Sequence, residues 1–98
     1  MVNITITKSN KRFKKYDAII SDHHLVSFGD NRYQDYTMHK DTLRKDHYIN
    51  RHKKNENWND YTTPGFYSRW ILWNLPSLEE SVRDTMIRFP HLKITLRI

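Results

Sequence analysis

The sequence predicts an α+β fold, a small antiparallel sheet of about four strands packed on a three-helix layer, in the order β-β-β-α-α-α-β along residues 1–98 as one domain. Three observations predict it. Apolar residues alternate with polar ones at both ends of the chain, as in strands with one face on a core. The period turns helical in between. No repeat, low-complexity tract or internal linker divides the sequence.

Val2, Ile4 and Ile6 alternate with Asn3, Thr5 and Thr7, which gives the first strand. A polar turn around Lys8-Ser9-Asn10 leads to a second strand over Phe13 to Ser21. Ser21-Asp22-His23 then supplies turn chemistry before a third strand, His24-Leu25-Val26-Ser27-Phe28, closed by Gly29-Asp30-Asn31. A first helix is expected from about Lys40 to Lys54. Its apolar residues Leu43, Tyr48 and Ile49 are scattered around the axis, so its packing must be partial. A second helix starts at Thr63 as N-cap with Pro64 in first position, carries Phe66, Trp70 and Trp73 on one stripe, and stops at Pro76. A third opens on the capping-box pattern Ser77-Leu78-Glu79-Glu80 and turns Leu78, Val82, Met86 and Phe89 inward until Pro90. Leu92, Ile94, Leu96 and Ile98 alternate with His91, Lys93, Thr95 and Arg97, the cleanest strand signal in the chain, and should join the same sheet.

Composition narrows the function. A chain of 98 residues has a limited core, and a deep water-excluded catalytic cavity would consume much of it. Seventeen Lys and Arg against eleven Asp and Glu give a net charge of +6, which favours nucleic acid, an anionic membrane face or an acidic protein patch as partner. Cysteine is absent, so disulfides and thiolate metal sites are excluded. The N-terminal residues lack a signal-peptide pattern, and no run approaches the ~20 apolar residues of a membrane span, so no membrane insertion is expected.

A dense block runs through the middle of the chain. It comprises Ser27-Phe28-Gly29, Asp35-Tyr36-Thr37, His39-Lys40-Asp41, Arg44-Lys45, Tyr48-Ile49, Arg51-His52, Asn55-Glu56, Trp58, Thr63, Gly65 and Ser68-Arg69-Trp70-Ile71-Leu72-Trp73. This connected pattern, roughly from Lys11 to Ser81, resembles a family of small uncharacterised proteins of large nucleocytoplasmic DNA viruses, of the giant-virus and algal-virus type. The resemblance implies a viral protein with a structural or packaging role, in the virion and in the host cytoplasm or nucleus during assembly. It transfers no catalytic residue, and both terminal strands lie outside it.

The residues themselves offer two basic surfaces. Lys8, Lys11, Arg12, Lys14 and Lys15 fall within eight residues with no acid between them. They suit phosphate contacts, or equally a strand edge protected by lysines. On the first helix, Lys40, Arg44, His47 and Arg51 share an arc flanked by Tyr48. That stripe reads either as a ridge for a polyanion or acidic partner, or as side chains paired locally with Asp41, Asp46 and Glu56 while arginines stack on Trp58 or Tyr48. Local pairing is preferred, because a helix so poor in apolar residues needs it to pack.

Six histidines raise a metal or nuclease reading through His23, His24, His39, His47 and His52 near Asp22, Asp41 and Asn55. A five-residue step points His47 and His52 about 140° apart, which disfavours a shared ion. Trp58, Trp70 and Trp73, with Phe66 and Tyr67, could stack bases but at helical spacing read as core, leaving Tyr33, Tyr36 and Tyr61 for contact. Nothing forms a Ser/His/Asp triad or a phosphate-cradling glycine loop. The expectation is a non-enzymatic protein without cofactor or metal. It would be a virion component, a minor capsid or internal packaging protein contacting other virion proteins. The alternative is a nucleic-acid-binding protein acting in viral replication, transcription or genome condensation.

Overall fold

The computed structural model describes residues 1–21 and 24–98. The Asp22-His23 half of the expected turn, and those two members of the histidine constellation, lie outside the described residues. The fold is α+β, with a four-stranded sheet ordered β3-β2-β1-β4. Strands β1 (Val2–Lys8), β2 (Lys14–Ile20) and β3 (His24–Asp30) form an antiparallel meander. The last strand, β4 (Leu92–Arg97), pairs with β1 in parallel, Ile4 opposite Ile94 and Ile6 opposite Leu96.

The sheet is therefore mixed, not antiparallel throughout as expected. Since β1 and β3 run the same way, the helical segment between β3 and β4 acts as one crossover. It returns the chain to the starting end of the sheet, which is the connection a parallel strand requires.

Period-two patterning decides the faces. Ile4, Ile6, Ala18, Ile20, Val26, Phe28, Leu92 and Ile94 are buried against the helices, each worth about 1.5–3 kcal/mol for the larger side chains. On the other face, Asn3, Thr5, Ser27, Lys93, Thr95 and Arg97 keep solvent contact. Gly29, at φ 77°, sits where an added Cβ would lie 2.8 Å from Leu72 Cδ1, so the close approach of helix to β3 requires glycine there.

The helical layer differs from the expected three helices in two places. The first is at its start. A short α1 (Tyr36–His39), capped by Asp35, ends at Lys40 in the left-handed conformation, and a new cap at Asp41 starts α2 (Thr42–His52). Lys40 thus stands outside the helix whose stripe it was expected to begin.

The second difference follows the expected Thr63 cap. Here α3 (Pro64–Tyr67) runs into a π-helical turn, Ser68–Leu72, closed by the Trp73 N–H donating to the Ser68 carbonyl at 3.0 Å. The wider turn brings residues five apart onto one face, so Phe66 with Ile71 and Tyr67 with Leu72 fill the core. Trp70 and Trp73 move to its rim. Helix α4 (Leu78–Arg88) follows its Ser77 cap as expected, with Val82 buried and Leu78, Met86 and Phe89 packed on the core edge.

Candidate functional site

Helix α2 owes its position to one face. Tyr48, its one buried residue, lies flat on Trp73, and the Lys45 ammonium donates to the Asn74 carbonyl at 2.5 Å while standing 5.0 Å from the centre of the Tyr36 ring. Burial is the main cause that lowers the Lys45 pKa, with Arg69 adding to it. The same face joins the Tyr48 ring to His52, whose Nδ1 is 3.1 Å from Glu56 Oε2.

With that face occupied, Arg44, His47 and Arg51 project outward at steps of three and four. They line an open cleft of about 350 Å³ together with Tyr33, Gln34 and Trp73. Arg51, Tyr33, Gln34 and Trp73 also line an adjoining cleft of about 400 Å³ that reaches Asp35, Ser68 and Leu72. Tyr33 is 68% exposed, with the Arg32 guanidinium 5.9 Å from its ring centre.

The local pairing expected for this stripe does not form. Among the described residues the ion pairs are Lys15–Asp35, Arg32–Asp30, His52–Glu56 and Arg88–Asp84, and none involves Arg44, His47 or Arg51. Nor does an arginine of α2 stack on Trp58. That place belongs to Arg69, whose guanidinium lies 5.4 Å from the Trp58 ring centre and 4.4 Å from that of Trp70. Burial, and then Arg88, lower the pKa of Arg69.

The remaining candidate residues separate into exposed and committed groups. Lys11, Arg12 and Lys14 are exposed around the β1–β2 connection, with Arg12 over the Phe13 ring at 4.7 Å. Lys15 is a correction, because its ammonium is held in a nearly buried pair with Asp35 at 2.5 Å and is not free for a ligand. Tyr48 is a second, being a packing residue whose hydroxyl pKa is raised chiefly by burial. Lys40 is exposed and stands outside α2, and its ammonium donates to the neutral Thr37 carbonyl at 3.1 Å, which leaves its charge uncompensated. Tyr36, expected to be available for contact, is buried. Of the residues that complete the cleft, Gln34 carries no sequence signal and Trp73 is expected in the core, because a loop and a helix end meet there only in the folded chain.

The histidines diverge. His39 Nδ1 accepts the Asp41 N–H at 3.0 Å and its ring lies 5.3 Å from Trp73, His47 faces solvent, and His52 turns to Glu56. Among the described residues no three His, Asp or Glu side chains converge as metal ligands would. No helix among them is long and apolar enough to cross a membrane. The arrangement places three exposed basic side chains beside two aromatic rings.

A model for a family of unknown function (DUF5754) matches residues 4–52, from β1 to the end of α2, half of the chain and the whole cationic wall of the cleft. No curated protein and no solved structure matches.

Proposed function

We propose that the chain, which belongs to this family of unknown function, is a non-catalytic nucleic-acid-binding protein that lays a single strand along the cleft between α2 and the β3–α1 loop. The observation that carries this reading is the triad Arg44, His47 and Arg51, unpaired with any carboxylate among the described residues and facing Tyr33 and Trp73 across open space. Unpaired arginines attract phosphates and release their counterions. An exposed tyrosine beside them suits an unstacked base, which a single strand offers and a duplex does not.

A second reading, a virion structural component that contacts neighbouring proteins, draws on the viral resemblance. It is favoured by Met38 and Leu43, apolar side chains more than half exposed. The two readings differ in their response to salt. Fluorescence anisotropy of a labelled single-stranded oligonucleotide across a salt series, with Arg44→Gln/Arg51→Gln beside the wild type, tests the first. The expected result is tight wild-type binding that weakens with salt, and a slope of log K against log salt reduced by about 1.4 in the variant, two phosphates at about 0.7 each. Absence of binding, or an unaltered slope in the variant, overturns it and leaves the protein-partner reading.

A further inference from the structure

We infer that the tip of the β1–β2 hairpin is a second contact for the same nucleic-acid strand, which would pass from α2 over Tyr33 to a cleft between Lys8 and Lys14. This rests on the function proposed above and extends its footprint.

Three observations carry it. First, an open cleft of about 420 Å³ lies beside the hairpin, lined by Lys8, Ser9, Lys14, Tyr16, Asn31 and Met38. Lys8 and Lys14 are exposed and take part in no ion pair among the described residues, while the third lysine there, Lys15, is already neutralised by Asp35. Lys15 lines both this cleft and the one of about 400 Å³ beside α2, so the two meet at that residue.

Second, aromatic and cationic groups bridge the gap. Arg12 and Arg32 stand over the Phe13 ring at 4.7 and 4.0 Å, and Arg32 also reaches the ring of Tyr33 at 5.9 Å. Arg32 is held by Asp30 through two hydrogen bonds, at 3.0 and 2.7 Å, so its charge is compensated and it serves as a spacer. Arg12 takes part in no ion pair among the described residues.

Third, Phe13 adopts φ 65°, the left-handed region that a bulky side chain rarely enters. Glycine or asparagine would make the same turn with less strain. The aromatic ring thus sits there against the local backbone preference, with the Arg12 guanidinium 4.7 Å from its centre. Strain kept at a surface position is a mark of a site. The occupant is a strand continuing from α2, since the two acids that reach this corner among the described residues, Asp30 and Asp35, are already paired and a regular polyanion matches the remaining cations.

The test compares oligonucleotides of about 4 and about 16 nucleotides, the span of single-strand site sizes, by anisotropy over a salt series. With Lys8→Gln/Lys14→Gln, the slope for the longer strand should fall by about 1.4, and by less than half as much for the shorter. Phe13→Asn should weaken binding of the longer strand several-fold while its melting temperature stays equal to the wild type's or rises. An equal fall in slope for both lengths, or none for the longer, overturns the inference. The Arg44→Gln/Arg51→Gln variant separates the cases. If it alone loses binding, only the extended path fails; if it too is without effect, the proposed function fails with it.

Discussion

The Tyr48 ring lies on the Trp73 indole with the two planes 3° apart and their centres at 4.5 Å. This stack, together with the Lys45 ammonium's bond to the Asn74 carbonyl, joins α2 to the end of the π-helical turn, and the rest of α2 contributes no buried side chain. An isolated helix of eleven residues is not stable in water. Tyr48→Ala should therefore cost about 3 kcal/mol and release α2 before the sheet unfolds. Limited trypsin digestion should show early cleavage at Lys53-Lys54 in the variant. A variant as resistant as the wild type would mean that α2 is anchored elsewhere. Tyr48→Phe keeps the stack and should behave as wild type.

Asp35 does two jobs with one carboxylate. It accepts the Thr37 N–H at 2.9 Å as the cap of α1 and binds the Lys15 ammonium, with both side chains almost out of water. Removing Asp35 leaves a buried cation alone and an uncapped helix, so Asp35→Ala should cost about 3–5 kcal/mol in urea unfolding. Lys15→Met should cost markedly less, since the carboxylate keeps its Thr37 bonds and the methionine fills the space of the stem. Equal losses would show that the ion pair, and not the cap, governs this corner.

Strand faces and helix caps were legible because they depend on local rules. Alternation from Val2 to Ile6 and from Leu92 to Leu96 told which side chains enter the core, and Thr63-Pro64 and Ser77 marked two helix starts. The direction of β4 was not legible, because alternation is the same in parallel and antiparallel pairing. Neither was the break at Lys40, where the competing signal was Asp41, a second cap six residues after Asp35. The Phe66-Trp70-Trp73 stripe failed for a related reason. A 3.6-residue period cannot represent a π-turn, and the residues that it displaced, Ile71 and Leu72, became core. For the candidate cleft, spacing placed Arg44, His47 and Arg51 on one outward face of α2 but could not tell whether acids would neutralise them.

Gly65 is fixed by its neighbour. A Cβ built on it would stand 2.2 Å from Glu56 Oε1 and 3.0 Å from the carboxyl carbon, so Gly65→Ala must push the Glu56 side chain aside. Because the obstacle is the far end of a flexible side chain, which can swing away from His52, the expected loss is small, about 1 kcal/mol. In a Glu56→Ala background the obstacle is gone, and the same Gly65→Ala change should be neutral or stabilising, since alanine is preferred over glycine in a helix. A double-mutant cycle by chemical denaturation measures the reversal. Additive losses would show that contact with Glu56 is not what requires glycine.

His39 should make stability depend on pH. Burial first, and Arg44 next, lower its pKa, against weaker opposing effects of Asp41 and Asp35. Its Nδ1 must also stay unprotonated to accept the Asp41 N–H. Above the ordinary histidine pKa of about 6.5 the ring is neutral in both states, and the stabilisation is complete. As pH falls below that value, the unfolded chain takes up the proton first, so stability declines until the lowered folded-state pKa is reached. The urea midpoint of the wild type should drop from pH 7 to pH 5.5, and the drop should shrink in His39→Gln. An equal drop in both proteins would assign the effect to other groups.

Tyr33 separates stacking from simple charge attraction. It is 68% exposed and belongs to both clefts beside α2, so removing its ring should leave the fold intact. Loss of one stacked base costs about 1–3 kcal/mol, so Tyr33→Ala should weaken single-strand binding by about tenfold or more. Tyr33 contributes no charge, so the salt slope should stay at its wild-type value while the whole line shifts to weaker binding. Tyr33→Phe should restore affinity, because the face of the ring and not its hydroxyl is what a base would meet. If Tyr33→Ala binds as well as the wild type, the cleft holds phosphates without bases, and duplex and single strand should then compete for it equally.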